Sequence, residues 1–243
     1  MNKKIKRVLK SILIFFHLDL TKNLKYDRLT KKILKKVLTE KSNCIDIGCH
    51  EGEILEIICK YSPKRKHIAF EPIPFLYDRL TTKFTNNNVN FYPYALSDIE
   101  ENTTFNIVKN ALGHSGLKKR NYDVKKPNIE KIEVNVKVLD TILDMSQKID
   151  LIKIDVEGAE FNVLKGAKRI LKENRPMIIF EFGIGASNFY KVNPVEVYKF
   201  LIEKMGLKLY TLKSFLKSKS SLTLTEFKDH YRLNDKFYFI ASS

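Results

Sequence analysis

Asn43-Cys44-Ile45-Asp46-Ile47-Gly48-Cys49-His50-Glu51-Gly52 decides the fold of this chain. Residues 43–47 are a short apolar strand running into Gly48, and residues 52–60 carry apolar side chains at helical spacing. A glycine at a strand-to-helix junction allows a sharp turn and lets a ligand approach the backbone closely. The dinucleotide fingerprint G-x-G-x-x-G is not met, because His50 stands where its second glycine belongs. No Lys-Ser/Thr pair follows, so the turn is not a phosphate-cradling Walker loop either. What remains is D-x-G-x-x-x-G at the end of a strand.

Working outward, strands alternate with helices. Strands are predicted at 67–71, 89–92, 150–155 and 177–182, with two more near 207–212 and 236–241. Helices are predicted at 74–84, 159–172 and 194–204. This order argues an α/β fold with a mainly parallel sheet and helices on both faces. Ligands in such sheets bind beyond the carboxyl ends of the strands, where strand order reverses.

The strand ends carry polar residues. The second strand closes on Glu71, an acidic group suited to accept both hydroxyls of a ribose, followed by Pro72. The third strand leads into Ala95-Leu96-Ser97-Asp98, with Ser97 and Asp98 within reach of an adenine edge. Together these describe a nucleoside pocket with no pyrophosphate cradle. S-adenosylmethionine (SAM) is a nucleoside with a cationic amino-acid arm and no phosphate. Asp46 beside that arm is attractive, whereas beside a pyrophosphate it would repel.

Six ordered blocks now match one pattern. They are the D-x-G-x-x-x-G of residues 46–52, Ala69-Phe70-Glu71-Pro72-Ile73-Pro74, and Ala95-Leu96-Ser97-Asp98. The others are Leu151-Ile152-Lys153-Ile154-Asp155-Val156-Glu157-Gly158-Ala159-Glu160, Val163-Leu164-Lys165-Gly166-Ala167, and Arg175-Pro176. The chain resembles the FkbM family of SAM-dependent methyltransferases over residues 42–182, with a looser tail to 241. The resemblance implies a class I, Rossmann-like fold: a seven-stranded, mostly parallel sheet with an antiparallel last strand. It also implies methyl transfer, usually to oxygen, and many members act on sugar hydroxyls of natural products or surface glycans. By position it puts Asp46, Gly48 and Gly52 along the methionine arm, with Ile47, Cys49 and His50 in the same turn. It puts Glu71 and Pro72 at the ribose, and Ala95, Leu96, Ser97 and Asp98 near the adenine. Asp155 falls at the end of the fourth strand, against both cofactor and acceptor.

Methyl transfer to a sugar hydroxyl needs positioning and a base. Asp155, Glu157, Glu160 and Glu181 are the carboxylate candidates. Asp155 and Glu157 are two apart at a strand end and both can face a pocket. Glu160 opens the next helix, where a cap is an equal reading. Glu181 lies in an apolar run and needs either a function or a partner such as Lys153. His114, in Gly113-His114-Ser115-Gly116, is a further candidate base in a loop. The following stretch holds Lys118, Lys119, Arg120, Lys125, Lys126 and Lys131, read as a solvated loop or as a clamp for an anionic acceptor such as a nucleotide-linked sugar. Carboxylates at 155 and 157 offer oxygens to a divalent metal, but no ligand spacing is diagnostic and a metal is not favoured.

Charge and composition narrow the partners. Lys and Arg number 44 against 28 Asp and Glu, a net of +16, of which +10 falls on residues 1–41. The chain divides into a basic helical extension, 1–41, and a methyltransferase domain, 42–243. Within the extension, Ile5, Val8, Leu9, Ile12, Leu13 and Phe16 recur at helical spacing among lysines, the pattern of an amphipathic helix. Such a helix docks on the body or a partner, or lies at a membrane surface; a second is predicted over 26–39. No apolar run reaches the ~20 residues of a membrane span. Three cysteines without ligand spacing fit a reducing cytoplasm, at the inner membrane face if the amphipathic helix binds there. The mildly basic body argues against a nucleic-acid partner and for a small acceptor that is anionic or a carbohydrate. The rival readings are a nucleic-acid methyltransferase using the basic arm and a non-catalytic partner that keeps the SAM fold.

Overall fold

The computed structural model describes residues 22–86, 88–122 and 124–243. The amphipathic stretch 3–16 lies outside these. The described chain opens with helix α1 (Lys22–Val37), then β1 (Cys44–Ile47), α2 (Glu53–Tyr61), β2 (His67–Phe70), α3 (Pro74–Lys83) and β3 (Val89–Tyr92). Next come β4 (Tyr94–Ser97), β5 (Glu101–Val108), β6 (Ile129–Val138), α4 (Leu139–Ile142) and β7 (Leu151–Ile154). The remainder is α5 (Glu160–Lys165), α6 (Lys168–Asn174), β8 (Met177–Glu181), α7 (Pro194–Lys199), β9 (Lys208–Thr211), α8 (Leu212–Leu216), α9 (Leu224–Leu233) and β10 (Tyr238–Ser242).

Seven strands form one sheet in the order β3-β2-β1-β7-β8-β10-β9. The first five are parallel, and β10 runs antiparallel to both neighbours, with Phe239 opposite Phe180 of β8 and Thr211 of β9. This is the class I topology expected. Strands covered on both faces read as continuous apolar runs. In β8, Ile178 and Phe180 enter the core on one face while Ile179 enters the core on the other.

A second sheet, β4-β6-β5, was not anticipated. Residues 94–97 follow the third strand in sequence but leave its sheet, because Pro93 has no N–H to continue the ladder. Helices α8 and α9 were also missed. The helix expected over 159–172 is two, with Gly166 and Ala167 between them. The one expected over 194–204 ends in a π-turn, Phe200–Lys204.

Helix α1 begins four residues before its expected start. Tyr26, Leu29, Ile33 and Leu34 are buried against Cys44, Ile58, Leu151, Ile179, Leu212 and Ile240. Burying each large apolar side chain contributes roughly 1.5–3 kcal/mol. The helix therefore covers one sheet face, while Lys32, Lys35 and Lys36 remain exposed. All three cysteines are free and buried.

Candidate active site

A cavity of about 990 Å³ opens at the carboxyl ends of β1, β2, β7 and β8. Strand order reverses between β1 and β7, so the cavity sits at the switch point.

Its floor is the turn after β1. Gly48 has φ of 72°, and a Cβ there would stand 2.0 Å from the Asp155 carbonyl oxygen. Only glycine allows the two strand ends to approach this closely. The Gly48 N–H donates to the Phe70 carbonyl at 3.0 Å, and the Asp155 N–H donates to that of Ile47 at 3.1 Å. The turn is thus stitched to both neighbouring strands. Ile47, Gly48, Cys49 and His50 line the cavity, as do Glu71, Pro72, Ala95, Leu96 and Asp155.

Four expected cofactor residues do not line it. Asp46 is fully buried beneath the turn, 3.3 Å from the Lys153 ammonium. Gly52, at φ of 75°, faces α3: a Cβ would meet Leu80 and Phe84 at 2.8 Å. Ser97 donates to Asp98 at 3.1 Å, and Asp98 pairs with Lys165 at 2.6 Å, which turns both toward α5.

Glu71 ties the cavity's upper edge together. One oxygen accepts the His50 N–H at 2.8 Å and the other the Ile73 N–H at 3.0 Å. Burial pushes its carboxyl up to about 7, and these two N–H groups oppose the rise. His50 stands in left-handed backbone at φ of 49°. Its Nε2 is buried with no hydrogen-bond partner among the described residues, and burial lowers its pKa. A buried ring nitrogen without a partner, facing a cavity, is a place where a ligand completes the structure.

On the far wall, Asp155 Oδ2 accepts from the Tyr238 hydroxyl at 2.6 Å and lies 3.7 Å from Lys153. Burial opposes ionisation of Asp155. The Lys153 charge, then Tyr238 and Glu181, outweigh burial and hold the carboxyl below its usual range. Glu181 goes the other way: burial, then the charges of Asp155 and Glu160, push it well above the carboxylate range. Their surroundings therefore push the two coupled carboxyls in opposite directions. Lys153 is buried and binds the Gly48 carbonyl at 2.9 Å as well as Asp46 and Asp155. Of the two readings of Glu181, the pairing with Lys153 is not found: the ammonium is committed to Asp46 and Asp155. Burial works against its charge, but those two carboxylates raise its pKa above the ordinary value.

Glu157 meets Arg120, whose Nη2 contacts its Oε2 and lies 3.1 Å from His114 Nδ1. His114 itself stands 4.0 Å from Glu157, in a 3₁₀ turn between β5 and β6. Glu160 faces inward as a cap: Oε1 accepts the N–H groups of Val156 at 3.0 Å and Gly158 at 3.1 Å.

Asp155, Glu157 and Glu181 bring carboxylate oxygens within 4.8 Å of one another. The donor chemistry suits a divalent cation, but Arg120 and Lys153 already supply positive charge there. Sequence reasoning missed Tyr238 and the separate role of Arg120. The first comes from a strand far along the chain, and the second was one cation among six in a basic stretch.

The switch-point cavity, the glycine turn and the sheet order with an antiparallel strand define a class I, Rossmann-like methyltransferase fold. More narrowly, residues 46–209 match the family model described as "Methyltransferase FkbM domain", and the chain belongs to that family. Among curated proteins it is similar to methyltransferase sdnD of Sordaria araneosa, at 30% identity over 152 residues. That alignment covers 50% of this chain and 59% of the relative, so the chain spans well under two thirds of it. Among solved structures it resembles methyltransferase FkbM of Methylobacillus flagellatus KT, with 14% identity and a TM-score of 0.53, covering 84% of this chain and 44% of that one.

Proposed function

We propose that this methyltransferase methylates an oxygen, on a sugar hydroxyl or similar group of an anionic precursor of a surface glycan or natural product. The observation that carries this reading is the Asp155–Glu181 pair at the cavity wall. A sugar hydroxyl is a weak nucleophile at neutral pH, and a carboxylate positioned in the cavity to take its proton in the transition state helps it. Asp155 accepts the hydroxyl proton. Glu181, which burial pushes toward its neutral form, stands beside it and orients the acceptor.

The chain's residues fit SAM. In this reading Glu71 holds the ribose, the 47–50 turn the methionine arm, and the cavity-lining Ile73, Ala95, Leu96 and Phe105 the adenine. When bound, SAM supplies a methyl group already activated on sulfur. The protein's own work is to orient the acceptor, exclude water and receive one proton at Asp155. No step needs a metal.

The same reading seats the chain at an anionic membrane. Exposed Lys32, Lys35 and Lys36 lie on α1, whose Asn23, Tyr26, Asp27 and Thr30 also line the cavity. Cations on that helix favour an anionic surface.

An acceptor screen tests the chemistry. Nucleotide sugars, phosphorylated sugars and neutral sugars are incubated with SAM and read by mass gain of one methyl. Methylation confined to nitrogen or carbon acceptors, or to RNA, overturns the reading. Absence of SAM binding in calorimetry overturns it more deeply, in favour of a non-catalytic partner.

A further inference from the structure

The β5–β6 connection meets the β8–α7 connection over the cavity, and Arg120 joins them. Its Nη1 donates to the Gly185 carbonyl at 3.1 Å, while Nη2 reaches Glu157 and stands 3.1 Å from His114 Nδ1. Arg120, His114, Glu157 and Gly185 all line the cavity. The arginine side chain is only 9% exposed.

Two tyrosine rings lie near these connections. The Tyr122 hydroxyl is buried with no hydrogen-bond partner among the described residues. The Arg120 guanidinium stands 5.8 Å from the centre of the Tyr122 ring, and the Lys118 ammonium 4.7 Å from that of Tyr190. Tyr190 is also close to Gly158, where a Cβ would meet its ring at 2.8 Å. Buried hydroxyls are ordinarily satisfied. Tyr122 carries such an unsatisfied hydroxyl on a ring that neighbours the arginine.

Glu157 is also held at a cost. Its backbone is left-handed, at φ of 59°, which is unfavourable for a residue with a Cβ. Its side chain retains 19% exposure, so it has a route outward.

We propose that Arg120 and His114 form a subsite for a phosphoryl group of the acceptor, and that Glu157 occupies it as a placeholder until the acceptor arrives. A phosphoryl group accepts two N–H bonds from the guanidinium in its planar fork and has oxygens left for further donors. Glu157 then turns outward. This deepens the proposed function, on which it rests, by naming phosphorylated sugars as the acceptor class.

Self-occupation has a measurable consequence. A site that is filled by the chain's own carboxylate binds a ligand more weakly by the fraction of time it is filled. The test is calorimetric titration of the full chain at low salt with inorganic phosphate, with acetate as a second arm, and separately with SAM. Glu157→Gln is expected to bind phosphate about 10-fold more tightly than the natural chain. Arg120→Gln is expected to lose phosphate binding, and Arg120→Lys, which keeps charge but not the fork, to weaken it several-fold. Phosphate affinity unchanged or weaker in Glu157→Gln overturns the proposal, as does unchanged affinity in Arg120→Gln. So does acetate binding equal to phosphate. Should Arg120→Gln not fold, the Arg120→Lys and Glu157→Gln comparison decides alone. SAM titration of each variant stands apart: its failure in the natural chain strikes the methyltransferase reading, not the subsite.

Discussion

The Tyr238 hydroxyl donates to Asp155 Oδ2 across 2.6 Å, joining the last strand of the sheet to the end of β7. Chain position gives no hint of this contact, since 83 residues separate the two. A hydrogen bond to a charged group is worth roughly 1.5–3 kcal/mol. With Asp155 as the proton acceptor, Tyr238→Phe is expected to lower kcat by about 10- to 100-fold while leaving SAM affinity unchanged. The donation favours the ionised carboxyl, so its loss raises the Asp155 pKa. The acid limb of the kcat profile then moves to higher pH. An unmoved limb would show that Tyr238 acts on packing alone.

Lys153 holds three partners in a buried setting: Asp46, Asp155 and the Gly48 carbonyl. Removing one member of a buried charge network strands the others, at about 3–5 kcal/mol. Lys153→Met is expected to lower the thermal unfolding midpoint steeply. The double variant Asp46→Leu with Lys153→Met restores part of that loss, because a stranded carboxylate is gone. Equal midpoints for the single and double variants would count against a structural pair.

Glu71 titrates near neutrality, at about 7, because burial raises it. A ribose hydroxyl donates more strongly to the ionised form, by roughly 1 kcal/mol. SAM affinity is therefore expected to rise by about fivefold as pH increases from 6 to 8. Glu71→Gln, which cannot ionise, is expected to bind SAM weakly and without that slope. The apo fold responds in the opposite sense. The folded chain keeps a proton that the unfolded chain releases near 4.5, so this group's stabilisation is full below 4.5 and is lost as pH rises through about 7. Calorimetry across that range, with and without SAM, separates the two slopes.

The central sheet was legible because its strands are short apolar runs, four of which (β1, β2, β7 and β8) lead into glycine or carboxylate, and both signals are local. Asp155, Glu71 and Glu181 were legible for the same reason: each is the polar residue at a strand end. The three-stranded sheet was not, although Ile132, Val134 and Val136 alternate with polar residues along β6. Its defining pair, β4 with β6, joins Tyr94 to Asn135, and no local pattern states that pairing. The same limit applies to the site. Lys153 and Glu181 are near enough in sequence to suggest a pair, yet strand register sets Lys153 opposite Asp46. Ser97 and Asp98 read as adenine contacts because they follow β3, but after Pro93 the chain leaves the central sheet and Ser97 ends β4 of the second one.

The basic face of α1 gives the last prediction. Lys32, Lys35 and Lys36 are exposed, and the amphipathic sequence 3–16 precedes them. Each cation near an anionic bilayer contributes about 1 kcal/mol, which salt screens. The full chain is expected to float with vesicles rich in phosphatidylserine and not with neutral phosphatidylcholine vesicles. Reversing the three lysines to glutamate is expected to abolish flotation at moderate salt while SAM affinity stays unchanged, since their side chains lie on the face turned away from the sheet. Flotation equal on both vesicle types would assign the contact to apolar insertion rather than charge. Binding to RNA in preference to vesicles would instead make the basic helix a nucleic-acid surface and return the arm to the rival reading.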